Sequence, residues 1–492
     1  MTSQPTLQTT RRDGLQRSQP HVAGVSAASV LDFLQAAESQ NLDLHTLLIA
    51  RHGKLAVELY RWPYNSTRPR IGHSLAKSFT SAAVGMVIAE GRLKLTDRVV
   101  DFFPEHLPPI VSDNLRAMTV RDLLTMRAGH AEETSGSIWR SIKTSWIAEF
   151  LKIPVVHRPG EFYVYTSAAS YMLAAVFTRA TGETLHAYLR PRLFEPLGIV
   201  GETWDIGPDG INPGGNGLTC KVSDLLKFGI LHLQKGLWNG VRILPAEWIE
   251  EATRPIGDSN YGFHWVTGRE GEFFAMGLFG QLIAVLPAHD AVVVLNSAIA
   301  SPVACSAMWV PLLHQHLSSL FPGAISNTID NTVAELELIS RIAAMAQPPA
   351  LSSSAESRPD LTGSFTYAID NNDLGIDRIS FSFEANRCTL TMSYPEAEHS
   401  IVVGIDHWLE GLTDIPSAPL HHGYSLTPAR VAAGACWRNE DHLTMTWIFA
   451  EMTFRDTIEC EFNNDQLTLK RSVNVNSGAM SLPMLHGKRT DK

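Results

Sequence analysis

The sequence has no apolar run approaching the roughly 20 residues that a membrane-spanning helix needs, so no membrane partner is expected. Positive charge is in the minority. The chain has 40 Lys and Arg against 50 Asp and Glu, a formal charge of −10, with no basic cluster. Nucleic acid is held through concentrated positive charge, so no nucleic-acid partner is expected either. Cysteine is scarce: Cys220, Cys305, Cys388, Cys436 and Cys460 make an odd count with no Cys-x-x-Cys pair. That pattern argues against a disulfide framework or a cysteine-built metal site and predicts buried thiols in a reducing compartment. The first 24 residues also lack the apolar core of a secretory signal. Asn65-Ser66-Thr67 then reads as a chance sequon, and the expected location is the cytoplasm.

What is present is the composition of an ordinary globular protein. Of 492 residues, 45% are apolar and 18% charged, enough for two or three domains. Residues 1–24 read as a flexible lead. TLLIARHGKLAVELY (46–60) is a hairpin signal around His52-Gly53. Residues 74–90 place Ala, Val, Met and Ile at helical spacing, and further helices are predicted near 119–126, 167–180 and 222–235. Strand character returns at 273–297 as two runs joined by Pro287-Ala288-His289-Asp290, a turn sequence. One hairpin opens this region (25–322) and another closes it, which implies an antiparallel sheet built from both ends with helices inserted. Residues 323–360 read as a helix and a Pro/Ser-rich linker. From 361 to 492 short alternating strands, such as RISFSFEA (378–385) and RCTLTMSY (387–394), predict a small antiparallel barrel or sandwich. His421-His422 there reads as a solvated loop pair, because adjacent strand residues face opposite ways and cannot share a metal.

Residues 71–81, IGHSLAKSFTS, carry two overlapping catalytic signatures on Ser74. Gly72-His73-Ser74-Leu75-Ala76 approximates a nucleophile elbow, which requires a buried parallel strand immediately upstream. RWPYNSTRPRI (61–71), with two prolines and three arginines, cannot supply one. Ser74-Leu75-Ala76-Lys77 instead requires a helix starting near the serine, so that positions i and i+3 share a face. The pattern after Ser74 supplies that helix. A lysine held partly out of water beside the serine is an expected proton acceptor, since burial disfavours its charged form.

Together with HTLLIARHGKL, MTVRDLLTMRAGH, PGEFYVYTSAASYMLAAVF, TGETLHAYLRPRLFEPLGI, GLTCKVSDLLKFG and GLFGQLIAVLPAHDAVVVL, this stretch resembles the serine β-lactamase-like hydrolases over roughly residues 45–300. That family comprises class C β-lactamases, penicillin-binding proteins and related esterases and amidases, and the likeness is nearest to its 6-aminohexanoate-dimer hydrolase branch. The resemblance implies an α/β protein of the α+β type: a transpeptidase-like antiparallel sheet flanked by helices, with a helical insert. To this it adds a C-terminal lipocalin-like β-barrel. It implies Ser74 as nucleophile with Lys77 and Tyr165 as general base and acid. Tyr165 occupies the tyrosine of the family's Tyr-x-Asn, with Tyr163 and Tyr171 as neighbouring rivals and Ser167 in place of Asn. The oxyanion would be held by the backbone N–H groups of Ser74 and Gln281. Ser167, Leu278, Phe279 and Gly280 would border the substrate, Gly280 by letting it approach the backbone closely. Leu278 stands where relatives carry a cation for the substrate carboxylate, which weighs against a β-lactamase or D-Ala-D-Ala carboxypeptidase. A catalytically idle, ligand-binding member is the remaining alternative. The resemblance implies no metal and no cofactor, and a small ester or amide as substrate. Trp139 and Trp146 line a pocket or pack structurally, and three roles are open for the barrel: shaping the pocket, mediating a homodimer or simply packing against the hydrolase.

Overall fold

The computed structural model describes residues 13–134, 138–323, 329–351, 353 and 362–490. Most of the 347–360 linker and half of the 1–24 lead lie outside the described residues. The chain divides into two compact units. Met1–Tyr60, Ser66–Ser297 and Val303–Ile342 belong to the first; Arg61–Asn65, Ala298–Pro302 and Ala343–Lys492 belong to the second.

In the first unit α1 (Ala27–Ser39) precedes the hairpin β1 (Leu44–Arg51) and β2 (Lys54–Tyr60), and β3 (Pro69–Ile71) leads into α2 (Ala76–Ala89). The helical insert runs through α3 (Asp113–Ala117), α4 (Val120–Leu124), α5 (Trp146–Lys152), α6 (Ser167–Thr181) and α7 (Leu185–Leu189). After β4 (Thr203–Trp204) and β5 (Leu218–Lys221) come α8 (Val222–Leu233), the small hairpin β6 (Leu237–Trp238) and β7 (Val241–Arg242), and α9 (Ala246–Ala252). The last elements are β8 (Val266–Thr267), β9 (Phe273–Gly277), β10 (Gln281–Leu286), β11 (Ala291–Ser297), α10 (Val310–Leu320) and α11 (Ile329–Met345), whose final residues count with the second unit.

The main sheet has the order β2-β1-β11-β10-β9-β8 and is antiparallel throughout, so strands from the two ends of the unit meet at β1 and β11. Residues 273–297 contain three strands where two are expected. The first apolar run folds back on itself at Leu278-Phe279-Gly280, with Phe279 at φ 63° and Gly280 at φ 88°. The cause is burial on both faces: every residue of β10 and β11 is buried, so the run lacks the alternation that marks a strand's ends. A phenylalanine in the left-handed region also carries no turn signal.

α2 is buried all round from Ala76 to Val87, as expected of a central helix with no solvent face. Phe79 on it stacks on Phe228 of α8 with ring centroids 3.8 Å apart. α6 is held at its start by Thr166, whose hydroxyl accepts the Ala168 N–H, and at its end by Gly182 at φ 74°. No helix among the described residues is long and apolar enough to cross a membrane.

The second unit is a closed barrel formed by β12 (Gly363–Ile369), β13 (Arg378–Glu384), β14 (Arg387–Ser393), β15 (Glu398–Ile405), β16 (Trp408–Thr413), β17 (Ala429–Trp437), β18 (His442–Phe449), β19 (Arg455–Asn463), β20 (Gln466–Val473) and β21 (Leu485–Arg489). Antiparallel pairs run β15-β14-β13-β12-β21-β20-β19-β18-β17-β16, and a short parallel pairing of β15 with β17 closes the ring. Inward residues alternate as predicted, for example Ile379, Phe381 and Phe383 on β13. β17 escapes such reading because Val431–Trp437 are all buried and the strand has three partners.

His421-His422 is not a solvated pair. His421 is fully buried, its ring stacked on Phe454 at 4.4 Å and its Nε2 2.8 Å from Asp456; only His422 is partly exposed. All five cysteines are buried free thiols.

Two buried histidines of the first unit make its stability depend on pH. Burial pushes His130, packed against Phe150, down to about 4, and it pushes His232 down to about 4 as well. Both are neutral in the fold, whereas the unfolded chain protonates near the ordinary value of about 6.5. Their contribution is therefore intact above about pH 6.5 and is lost as pH falls toward 4. The melting temperature should drop between pH 7 and pH 5, a loss on the order of 1–2 kcal/mol per histidine. His130→Leu should make that drop smaller, as checked by calorimetry at the two pH values.

Candidate active site

Ser74 sits at the joint between a short strand and the central helix. β3 pairs with β5, and Gly72 continues that pairing by donating its N–H to Leu218 O at 2.9 Å. The chain then turns sharply: His73 lies at φ 49° and opens the 3-10 turn His73–Leu75 that runs into α2. The buried His73 ring meets Phe279 edge-on at 5.5 Å. Gly72 O presses against the end of β9, where a Cβ on Gly277 would lie 2.5 Å from it. Gly72 and His73 thus set the position of the serine. β3 is a three-residue antiparallel strand, not the central parallel strand of an elbow.

Lys77 lies one helical turn on, with 2% exposure. Its Nζ is 3.1 Å from Ser74 Oγ, 2.9 Å from Ser167 Oγ and 3.0 Å from Gly215 O. A buried N–H donor without an acceptor is costly, so three oxygens are gathered around this nitrogen. Gly215 belongs to the Gly- and Pro-rich loop at 207–217, which the sequence marks only as a connection. A Cβ there would lie 3.3 Å from Lys77 Nζ and 3.1 Å from Ser170 Cβ, so the glycine makes room for the lysine. The same loop accepts from Thr80 Oγ1 through Gly214 O at 2.7 Å.

Of the three candidate tyrosines, Tyr165 is the one beside this lysine: its ring centroid is 4.8 Å from Lys77 Nζ. It is partly exposed, at 36%, and stands edge-on to Tyr261 at 6.2 Å. Tyr163 packs against Tyr261, and burial raises its phenol above the ordinary value. Tyr171 is buried and donates to Asp209 Oδ2 at 2.6 Å. Ser167, the first residue of α6, gives its N–H to Glu133 at 3.2 Å.

The turn at 278–281 divides its tasks. Leu278 is half-buried, while Phe279 is buried against His73. A Cβ on Gly280 would lie 2.1 Å from Ser297 Oγ and 2.9 Å from Trp309 Nε1. The close approach at Gly280 is thus to the protein interior, a reason for glycine other than the expected one. The fully buried Gln281 fastens the turn: its Nε2 donates to Ser297 O at 2.9 Å and Leu278 O at 3.3 Å, and its Oε1 accepts from Asn296 at 2.6 Å.

Trp139 and Trp146 pack on each other at 5.8 Å and on Tyr171 at 6.3 and 4.9 Å, an aromatic cluster with a structural role. Asp209 ties that cluster to the Lys77 loop, accepting the N–H groups of Trp146 and Ile147 as well as the Tyr171 hydroxyl. Sequence reading also misses His264. It is buried, with Nε2 2.8 Å from Ser170 Oγ and its carbonyl accepting from Ser78. Burial first, and the charge of Lys77 second, hold it well below the ordinary histidine value. Among the described residues no His, Cys, Asp or Glu cluster could hold a metal ion.

Comparison with known proteins matches residues 36–313 to the family model described as Beta-lactamase. The 6-aminohexanoate-dimer hydrolase of Paenarthrobacter ureafaciens is 26% identical over 333 residues, covering 61% of this chain and 83% of that protein. Esterase EstB of Burkholderia gladioli is 27% identical over 202 residues, 35% of this chain and 50% of its own length. Among solved structures, a Bacillus anthracis candidate 6-aminohexanoate-dimer hydrolase superposes with a TM-score of 0.51 at 19% identity. It covers 62% of this chain and 88% of that one, a likeness of fold.

The geometry around Gly215 is open to test. Gly215→Ala should displace Lys77 Nζ by a few tenths of an ångström and lower kcat by roughly tenfold or more, since small misplacements are expensive in catalysis. The melting temperature should change little, and steady-state kinetics with calorimetry would check both.

Proposed function

This chain belongs to the beta-lactamase family, and we propose that it is a serine hydrolase cleaving a carboxylic ester or amide through an acyl-enzyme on Ser74. Its named relatives include a 6-aminohexanoate-dimer hydrolase and an esterase. The observation that carries the reading is the 3.1 Å contact between Lys77 Nζ and Ser74 Oγ at the start of a buried helix.

A serine hydroxyl becomes an effective nucleophile when a neighbour takes its proton. In the proposed reaction Ser74 Oγ attacks the carbonyl carbon as its proton passes to the Lys77–Tyr165 pair, which reacts in the form one proton short of ammonium plus phenol. The negative charge that develops on the carbonyl oxygen is met by the backbone N–H groups of Ser74 and Gln281. Such donors are typically worth about 10²–10³ in rate. The bond to the leaving alcohol or amine then breaks, and Tyr165 supplies the proton it departs with. A water molecule, losing its proton to the same pair, attacks the acyl group and releases the carboxylic acid. Ser167 keeps Lys77 in place through the 2.9 Å contact, and Leu278 with its turn borders the acyl group. No step calls on a metal or cofactor. Leu278, an apolar side chain where a carboxylate-binding cation would stand, favours neutral esters and amides over β-lactams.

Ser74→Ala should lower turnover of a short-chain p-nitrophenyl ester by at least about 10³-fold, as removal of a catalytic nucleophile does. It should also abolish labelling by a fluorophosphonate probe. The wild type should cleave the ester faster than a chromogenic cephalosporin. Labelling that persists in Ser74→Ala would refute the assignment, and preferential cephalosporin cleavage would turn it toward a β-lactamase.

A further inference from the structure

The barrel of the second unit has an interior cavity that the hydrolase chemistry does not use. It measures about 120 Å³, and its lining includes Met392 and Tyr394 at the end of β14 and the segment around Leu420. Its walls are apolar: Ile376, Met392, Leu420, Leu469 and Leu485 are all nearly fully buried side chains that line it. A cavity of about 150 Å³ with walls of this kind can hold a single benzene ring, so the size here suits one ring or a short branched chain.

One side of the cavity is polar and consists of hydrogen-bond donors. Arg471, 3% exposed, lines it from β20. Its guanidinium has five N–H donors. Nε donates to Asp456 at 2.8 Å; Nη2 reaches Asp456 at 2.7 Å and Ser417 Oγ at 2.7 Å; Nη1 donates to Pro416 O at 2.8 Å. Those contacts leave one Nη1 hydrogen without an acceptor among the described residues. Tyr394, half-buried and lining the same cavity, adds a phenolic O–H that burial keeps protonated. Ser417 Oγ already receives Arg471 and donates to Ile415 O at 3.0 Å. The unused donors of this wall, one Arg471 Nη1 hydrogen and the Tyr394 O–H, outnumber its buried unpaired acceptors, so the group that suits it best is an acceptor.

Charge decides what kind of acceptor. The Arg471 charge is matched by Asp456, which is fully buried and also bound to the neutral His421. An anion entering the cavity would leave one buried negative charge unmatched, and an unpaired buried charge is strongly disfavoured. A carbonyl oxygen meets the same donors without that penalty. We propose that this cavity binds a small uncharged molecule: one ring or a short branched chain bearing a single carbonyl-type acceptor, held by Tyr394 and Arg471.

Cyclohexanone is a suitable probe and cyclohexanecarboxylate its charged counterpart, each titrated into the full chain by ligand-observed NMR at pH 7. Cyclohexanone should bind saturably, with the carboxylate at least tenfold weaker. Tyr394→Phe, which removes one hydroxyl, should weaken cyclohexanone by roughly 5- to 10-fold, the value of one hydrogen bond. Leu374→Trp, at a half-buried lining position, should fill the cavity and abolish binding without disturbing the buried ion pair. Binding that survives Leu374→Trp, tighter binding of the carboxylate, or no saturable binding by the wild type would each overturn the proposal.

Discussion

A lysine nitrogen buried in the interior is the constraint on which the catalytic unit depends. Lys77 Nζ must find oxygens for its hydrogens away from water, and it takes them from three separate parts of the chain: Ser74 before α2, Ser167 at the start of α6, and Gly215 O in the 207–217 loop. Each contact fixes the position of one element against the others. Thr80 adds a second tie to the loop, and Asp209 carries the loop's position on to α5 and Tyr171. Tyr165 precedes the Thr166 cap of α6, so placing that helix start also places the phenol over the lysine. The proposed chemistry is a consequence of this satisfied burial. The serine is close because it is one of the acceptors.

The barrel solves the same problem with opposite signs. Its buried charge is Asp456, which accepts from both Arg471 and His421, and these contacts tie the loop carrying His421 to β19 and β20. The arginine charge holds the Asp456 carboxyl below the ordinary range against the effect of burial, while burial lowers His421. Removing one member of such a pair strands the other in a medium of low polarity, which costs several kcal/mol, about 3–5 in comparable cases. The group therefore organises one end of the barrel, and it leaves the neighbouring cavity with donors and no spare charge.

Much of this is legible in the sequence. Hairpins and amphipathic helices declare themselves by period, which is why β1, β2, α6 and α8 are visible, as is the sheet built from both ends of the unit. Ser74 and Lys77 are legible because an i, i+3 spacing on a helix has a fixed geometry, and Tyr165 because its flanks resemble a known family. The features that escaped share a physical cause. β9 and β10 read as one run because both faces are buried and no alternation survives. Gly215 reads as loop punctuation, since nothing local reveals that a lysine 138 positions earlier needs its carbonyl and the space of its absent side chain. His264 and His421 read as unremarkable polar residues, their burial being decided by tertiary packing. Gly280 reads as a required glycine, but the neighbours that require it, Ser297 and Trp309, are distant in sequence.

The most direct measurement is rapid-quench mass spectrometry of the wild-type chain during turnover of a p-nitrophenyl ester, followed by tryptic mapping. Cleavage after Arg70 and Lys77 would release Ile71–Lys77, the peptide IGHSLAK. This peptide should gain the mass of the acyl group, and fragmentation should place it on Ser74. An acyl group found on another residue, or steady turnover with no covalent adduct at any quench time, would contradict it.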